Sequence, residues 1–376
     1  MELTELKKHI RTLATLPEAD APVISCYLKL LNGKIKDREI YKELVRAVTI
    51  GLSEQERYIV KETLAPVNAY LANKLKSDAK GTAIFSRAGK DPFFLPLQFR
   101  VLLPNWISLC TVPNIYHLVE MKDTYHRYVI MISTKKSARI VEVNLGEVTA
   151  NLWKERPELR DRVGREWTKE HYQKHSMERG RKFIKEKIKL LDKLMSAGGY
   201  SHLILAGHPT MTSRIRNELP KHLLEKLVDE VALSGQLKTT DVVEATIASF
   251  VDAEEIESQN MAEILSQKVH TGGLAVAGGE ASFQALQRGN VDTVVLLAGY
   301  SLGQLCTCDV CGFTTNIKNK KLDLCHQCGN TSLKISDLKE EIVRFAEAQG
   351  CLIEIVNESK SLTKLGGVGC LLRYRL

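Results

Sequence analysis

The order of apolar and polar positions divides the 376-residue chain into three sections. Over residues 1–116, "MELTELKKHIRTLATL" has the spacing of an amphipathic helix, and the alternation in "APVISCYLKLL" predicts a strand. "REIYKELVRAV" and "EQERYIVKETLAPVNAYLANKL" carry apolar residues three and four apart and predict helices, while "GTAIFSRAG" and "LPLQFRVLLP" predict short strands. A Pro-containing stretch, "LLPNWISLCTVPN", leads into residues 117–255. There "RYVIMIST" and "SARIVEVNLGEVTANLW" predict two strands, and a basic region with a long helix follows. "YSHLILAG" then predicts a buried strand and "PTMTSRIRNEL" a helix start. A long helical run, Thr239–Val269, passes into residues 256–376. "GGLAVAGGEASFQALQRGNVDTVVLLAG" predicts strand, helix and buried strand; "SDLKEEIVRFAEAQG" a helix with Ser336 as N-cap and Gly350 at its end; "CLIEIVN" and "GCLLRYRL" two more strands. Strand alternating with helix is an α/β signature.

The long helix of the middle section changes the picture through its charge. Phe183, Ile184, Ile188, Leu191 and Met195 form one apolar stripe, and Lys182, Lys185, Lys189 and Lys193 another turned away from it. From Lys154 to Lys193 there are 14 Lys or Arg against 8 Asp or Glu, a net +6 from about a tenth of a chain whose total is +8. Such a face suits a polyanion, nucleic acid first, with Arg179 and Arg181 near its tip; a solvated charge face shows the same pattern. Ahead of the stripe, "RVGREWTKEHYQKHS" lacks apolar periodicity and predicts an exposed loop or helix start. Trp167, His171, Tyr172 and His175 there can stack on nucleotides. His171 and His175 also have the spacing of two ligands on a helix face, without an evident third. No window approaches 18 apolar residues, which argues against a membrane span and for a cytoplasmic protein.

Five of the nine cysteines fall between Cys306 and Cys328. Cys308-x2-Cys311 and Cys325-x2-Cys328, each followed by glycine, predict two knuckles presenting four thiolates to a structural Zn2+ in a ribbon at 306–330. Four protein ligands leave no open position, so the metal folds the ribbon and catalyses nothing. Cys306 reads as a spare thiol, and Cys26, Cys110, Cys351 and Cys370 as buried small hydrophobes. "NIKN" at 316–319 lies inside the ribbon and "GGLAVAGG" lacks phosphate-loop spacing; neither carries functional weight.

"TGGLAVAGGEASFQALQRGNVDTVVLL", the four-cysteine insertion and the ending "SLTKLGGVGCLLRYRL" resemble the C-terminal domain of the archaeo-eukaryotic class-I release factors and Pelota. Gly366, Gly367, Gly369, Leu371, Arg373 and Tyr374 match the family's terminal motif, and "VISCYLKL" and "GTAIFS" look like its divergent bacterial branch. The resemblance implies an α/β protein of three domains. These are a mixed α/β N-terminal domain (1–116), a ribonuclease-H-like middle domain (117–255) and a C-terminal α/β sandwich (256–376) similar to kink-turn-binding ribosomal proteins, bearing the zinc ribbon.

The family's middle domain carries a Gly-Gly-Gln loop ahead of a basic helix, and Gln173 occupies the place of that glutamine. The two glycines are replaced by His171 and Tyr172, which do not reach φ > 0 cheaply. The decoding tetrapeptide of the first domain has only an echo, "NGKIKD" at 32–37. The resemblance therefore implies a translation factor that enters the ribosomal A site, contacting rRNA and P-site tRNA but neither DNA nor membrane. It either hydrolyses the peptidyl-tRNA ester in ribosome rescue, assisted by Gln173, or blocks the site without catalysis as a hibernation factor. In relatives the last domain meets a translational GTPase of the elongation-factor class.

Overall fold

The computed structural model describes residues 2–19, 21–134, 138–155, 169–233, 238–317 and 324–374. They form two compact units, one of Leu3–Thr124 with Glu254–Leu376, the other of Tyr125–Ala253.

The first unit opens with α1 (Leu3–Ala14), whose spacing buries Leu6, Ile10 and Leu13. β1 (Val23–Leu31) turns through Asn32 and Gly33, both at positive φ, into β2 (Lys34–Ile35). Asn-Gly at a two-residue turn matches the twist of a hairpin. Asp37 then caps α2 (Arg38–Thr49) by accepting from the backbone N–H of Glu39, so "NGKIKD" is a turn and a cap. Ser53 and Glu56 form a capping box on α3 (Glu54–Asn73), and β3 (Gly81–Arg87), β4 (Phe93–Phe99) and β5 (Trp106–Cys110) complete an antiparallel sheet in which β1 lies between β3 and β5. Its core joins Ile24, Cys26, Leu28 and Ile84 to Val60, Leu64 and Val67. The stretch read as a connection thus supplies β5 and, next, α4 (Tyr116–Thr124). Cys110 ends its strand exposed, unlike the buried position expected of it.

In the second unit β6 (Tyr128–Ser133) pairs with β7 (Ala138–Asn144), and the segment read as the second strand is two, because β7 reverses at Leu145 and Gly146, both at positive φ, into β8 (Glu147–Glu155). α5 (Lys169–Gly198), β9 (Leu203–Gly207), α6 (Pro209–Glu218), α7 (Lys221–Leu224) and β10 (Leu227–Ala232) follow, and α8 (Thr239–His270) carries the chain onward. The sheet order is β10-β9-β6-β7-β8, an antiparallel meander continued by two parallel strands, the ribonuclease-H-like arrangement. Every residue of β6 is buried because both faces are covered. Val129 and Met131 pack with α5, while Tyr128, Ile130 and Ile132 pack with Val242 and Phe250 of α8.

Returning to the first unit, β11 (Ala275–Ala277), α9 (Gly279–Gln287) and β12 (Val291–Leu297) precede the ribbon strands β13 (Gln304–Cys308), β14 (Thr314–Ile317) and β15 (Leu333–Asp337). α10 (Leu338–Gln349), β16 (Leu352–Val356), α11 (Lys360–Lys364) and β17 (Val368–Leu372) complete a sheet of order β11-β17-β12-β16. The cap of α10 is Asp337, whose carboxylate accepts from Lys339 and Glu340 N–H, one residue after the expected Ser336; Gly350 ends the helix at φ 72°.

The terminal glycines have a steric reason. Gly367 stands at φ 80°, and a Cβ there would lie 2.2 Å from Cδ1 of Tyr300. A Cβ on Gly369 would meet Leu265 at 2.7 Å. Gly367→Ala is expected to cost about 2–4 kcal/mol in urea unfolding of this unit, from left-handed strain plus displacement of the ring. Tyr300→Ala in the same chain should recover the steric part and leave the strain.

Candidate functional site

α5 is the frame of the site, and its 30 residues span about 45 Å. Ile184, Ile188, Leu191 and Met195 are buried against Met131, Leu203 and Leu205, so the apolar stripe docks the helix on the sheet. Lys182, Lys185, Lys189 and Lys193 are exposed. The helical period places positions 171 and 175 in line with the lysine row, and position 173 in line with Ile184.

The helix starts at Lys169, so His171, Tyr172, Gln173, His175, Arg179 and Arg181 lie on helical backbone, the helix start of the two expected alternatives. His171 and Tyr172 accept helical φ readily and positive φ reluctantly. Gln173 is the fifth helical residue, and its backbone N–H belongs to the helix ladder. Trp167 lies outside the described residues.

The root of α5 is held by groups that sequence reasoning did not single out. Gly198 allows the Tyr200 ring to fold over it, since a Cβ would come within 1.9 Å of the ring. The Arg127 guanidinium stacks 4.9 Å from that ring's centroid and donates to Gly198 O at 3.0 Å. Tyr200 donates its hydroxyl to Glu142, which also accepts from Thr149 at 2.8 Å. Burial and the adjacent Glu142 push the phenol up to about 12. Lys226 caps the corner by donating to Tyr200 O at 2.8 Å. The paired glycines Gly198-Gly199 before an aromatic were the available signal.

The cysteine cluster forms as the spacing predicts. The sulfurs of Cys308, Cys311, Cys325 and Cys328 all lie within 4.8 Å of one another, with 3.5 Å from Cys308 to Cys328 and 3.6 Å from Cys311 to Cys325. A tetrahedron with metal–sulfur arms of about 2.3 Å has edges of about 3.8 Å, so the four thiols fit a tetrahedral metal ion. The two knuckles repeat one turn. Gly312 N–H donates to Cys308 O and Gly329 N–H to Cys325 O, each at 2.9 Å, and both glycines stand at φ 70°. Backbone N–H groups of Cys328 and Gln327 lower the Cys325 thiol, while hydrogen bonding within the cluster raises Cys311 and Cys328. Cys306 is buried at the centre of the ribbon sheet, opposite Thr315 and Ile335, outside the cluster. Of the tetrapeptide at 316–319, Asn316 ties the ribbon down by donating to Leu302 O at 3.2 Å; 318 and 319 lie outside the described residues. Among the described residues no helix is long and apolar enough to cross a membrane.

Residues 113–250, which contain α4 to the first third of α8, match bacterial archaeo-eukaryotic release factor family 10. Peptide chain release factor subunit 1 of Pyrococcus abyssi is 27% identical over 205 residues, covering 49% of this chain and 50% of that protein. The Thermococcus onnurineus protein of the same description is 26% identical over 205 residues, 49% of each. The chain thus spans about half the length of the curated relatives it matches. Among solved structures, Pelota of Archaeoglobus fulgidus is 13% identical with a TM-score of 0.36, covering 78% of this chain and 80% of that one. On these sequence matches, residues 113–250 are similar to bacterial archaeo-eukaryotic release factor family 10, and about half of the chain is similar to archaeal peptide chain release factor subunit 1.

Proposed function

We propose that the protein is a cytoplasmic translation factor that binds the ribosomal A site and lays α5 along RNA toward the peptidyl-transferase centre. The observation that carries this is the row of exposed lysines on α5 within the matched region, opposite a stripe that anchors the helix. Lysines spaced along one face follow a phosphate backbone without reading sequence. rRNA and the P-site tRNA are the proposed contacts, with Trp167, His171, Tyr172, His175, Arg179 and Arg181 at the leading end. Zn2+ is the proposed ion of the four-cysteine cluster, an all-thiolate closed site. An elongation-factor-class GTPase is the proposed partner of the C-terminal section, on resemblance alone.

For rescue, the proposed chemistry is ester hydrolysis: water adds to the ester carbonyl, the bond to the ribose oxygen breaks, and that oxygen takes the proton. Gln173 is neither acid nor base at neutral pH, so its part is to orient water or donate a hydrogen bond to the developing oxyanion. With its backbone N–H engaged in the helix, only the side-chain amide remains to do so while the helix is intact. That favours the second reading, a non-enzymatic occupant of the A site in ribosome hibernation. Gln173→Ala distinguishes them. A hydrolase loses about 10²–10³ in single-turnover release from stalled ribosomes with unchanged occupancy. An occupant releases nothing as wild type or variant, and co-sediments with vacant ribosomes in both forms.

A further inference from the structure

α4 packs on β16 and α10, joining the N-terminal and C-terminal parts of the first unit. The seam is unusual in what it buries. β16 is the edge strand of its sheet, and its outward backbone N–H at Ile355 donates to Oδ2 of Asp123 at 2.7 Å. A carboxyl from α4 therefore covers a sheet edge that would otherwise be open. At the other end, Oε2 of Glu340 on α10 is buried and finds no donor among the described residues, and neither does Oδ1 of Asn114 just ahead of α4. Asn114 is itself fixed on β1, its N–H donating to Ser25 Oγ at 2.9 Å and its carbonyl accepting from Tyr27 at 2.7 Å. The Asn114 side chain already hydrogen-bonds to Glu340, which leaves one buried acceptor on each residue without a donor.

We propose that this seam is a proton-dependent clasp, closed while Asp123 and Glu340 carry their protons and loosened when they ionise. A protonated Glu340 leaves Oε2 without a buried charge to satisfy, and a neutral Asp123 still accepts from Ile355 while shedding its repulsion with the acids around it. Burial and the neighbouring acids favour the neutral forms, against the opposing pull of Lys122, Lys339 and the Ile355, Asn114 and Tyr116 donors. Asp123 is faced by Glu354 of β16 and Glu120 of its own helix, and Asp123 in turn acts on Glu254 of α8, beside Glu257; Lys122 is the opposing cation, paired with Glu347 of α10. Glu340 is faced by the hydrogen-bonding side chain of Asn114, by Asp337 and Lys339 on its own segment, by Tyr27 of β1 and Cys110 of β5, and by the Tyr116 N–H. Lys339 is drawn away, its Nζ 4.1 Å over the Tyr116 ring and bonded to Ala298 O. α1, which also packs on α10, buries Leu6, Ile10, Leu13 and Ala14, while its His9 pairs with Glu5.

Burial, then Glu354, pushes Asp123 from 3.8 up to about 8, and burial pushes Glu340 from 4.5 up to about 8. The closed seam therefore holds more protons than the open one. Its stabilisation is complete below about pH 4 and is lost as pH rises through about 8. Between pH 6 and 8 the opening constant rises by up to about tenfold per pH unit per group.

Amide exchange at Ile355, whose N–H leaves the sheet for Asp123, reads this directly. After correction for intrinsic exchange, its protection in the full-length protein should fall at least about tenfold from pH 6 to pH 8, with Val294 of the central strand β12 unchanged. Asp123→Asn with Glu340→Gln, which fixes both groups in the neutral form, should flatten the dependence. Wild-type protection that is level across this range overturns the proposal, as does a double variant with the wild-type slope; the wild-type series decides even if the variant does not fold.

Discussion

Replacing Lys182, Lys185, Lys189 and Lys193 together by Gln should weaken ribosome binding about 10²–10³-fold near 0.1 M salt and leave the fold intact. Each lysine that neutralises a phosphate contributes about 0.7 to the slope of log affinity against log salt on single-stranded or irregular RNA, roughly a factor of five at that concentration. Four contacts multiply to the stated loss and reduce the slope by about 3. The side chains are exposed, and surface substitutions of this kind change stability by about 0.5 kcal/mol or less. Ile188→Ala, one turn away on the same helix, is the converse. It removes a side chain 7% exposed in the sheet-facing cluster and should cost about 2–5 kcal/mol, with the salt slope of the remaining folded protein unchanged. Sedimentation with ribosomes across a potassium chloride series, beside thermal unfolding, separates the two. A quadruple variant with the wild-type slope would mean that the lysine row faces only water.

The elements legible in the sequence were those whose burial pattern is regular on one face. α5's apolar stripe and α8 were legible for this reason, and the stripe lies in the core as spacing requires, whereas β1 and β3 are buried on both faces and were legible from their short strand-like composition. β10 escaped because it is an edge strand with Asp229 and Glu230 in its middle, no residue of it fully buried. α4 escaped because Tyr116, Leu118, Val119 and Met121 are buried with no clean polar face, and its boundaries are set by packing between parts of the chain far apart in sequence. The first turns of α5 were only half legible: charged residues without apolar periodicity read equally as a loop or a helix start, and the structure has the helix start at Lys169. For the metal cluster the reverse holds. Four ligands at fixed spacing, each pair followed by a glycine free to adopt positive φ, state the geometry locally. The clasp at Asp123 and Glu340 had no local signal at all, because its partners are Ile355 and Asn114.

Removing the metal should unfold the ribbon and leave the sheet beneath it. β13–β15 enclose little apolar volume: Leu305 and Cys306 are buried, whereas Val310, Leu324 and Ile335 are exposed at 64%, 52% and 49%. A segment of fewer than 40 residues with that core does not hold its strands against chain entropy, and a structural ion contributing on the order of 10 kcal/mol does. The larger sheet keeps its own core of Leu265, Val295, Leu297 and Val356, none of it drawn from the ribbon. The protein as purified should hold one zinc per chain. Chelation, or Cys311→Ser, should expose the ligand thiols to a thiol reagent and open the 304–337 segment to protease, with amide protection at Val294 and Val295 of β12 retained. Cys306→Ser should leave zinc content at one, since its sulfur is a packing group on the central strand. Loss of zinc from that variant would add Cys306 to the ligand set, and metal-free protein with an intact ribbon would show that the four thiols hold the strands without an ion.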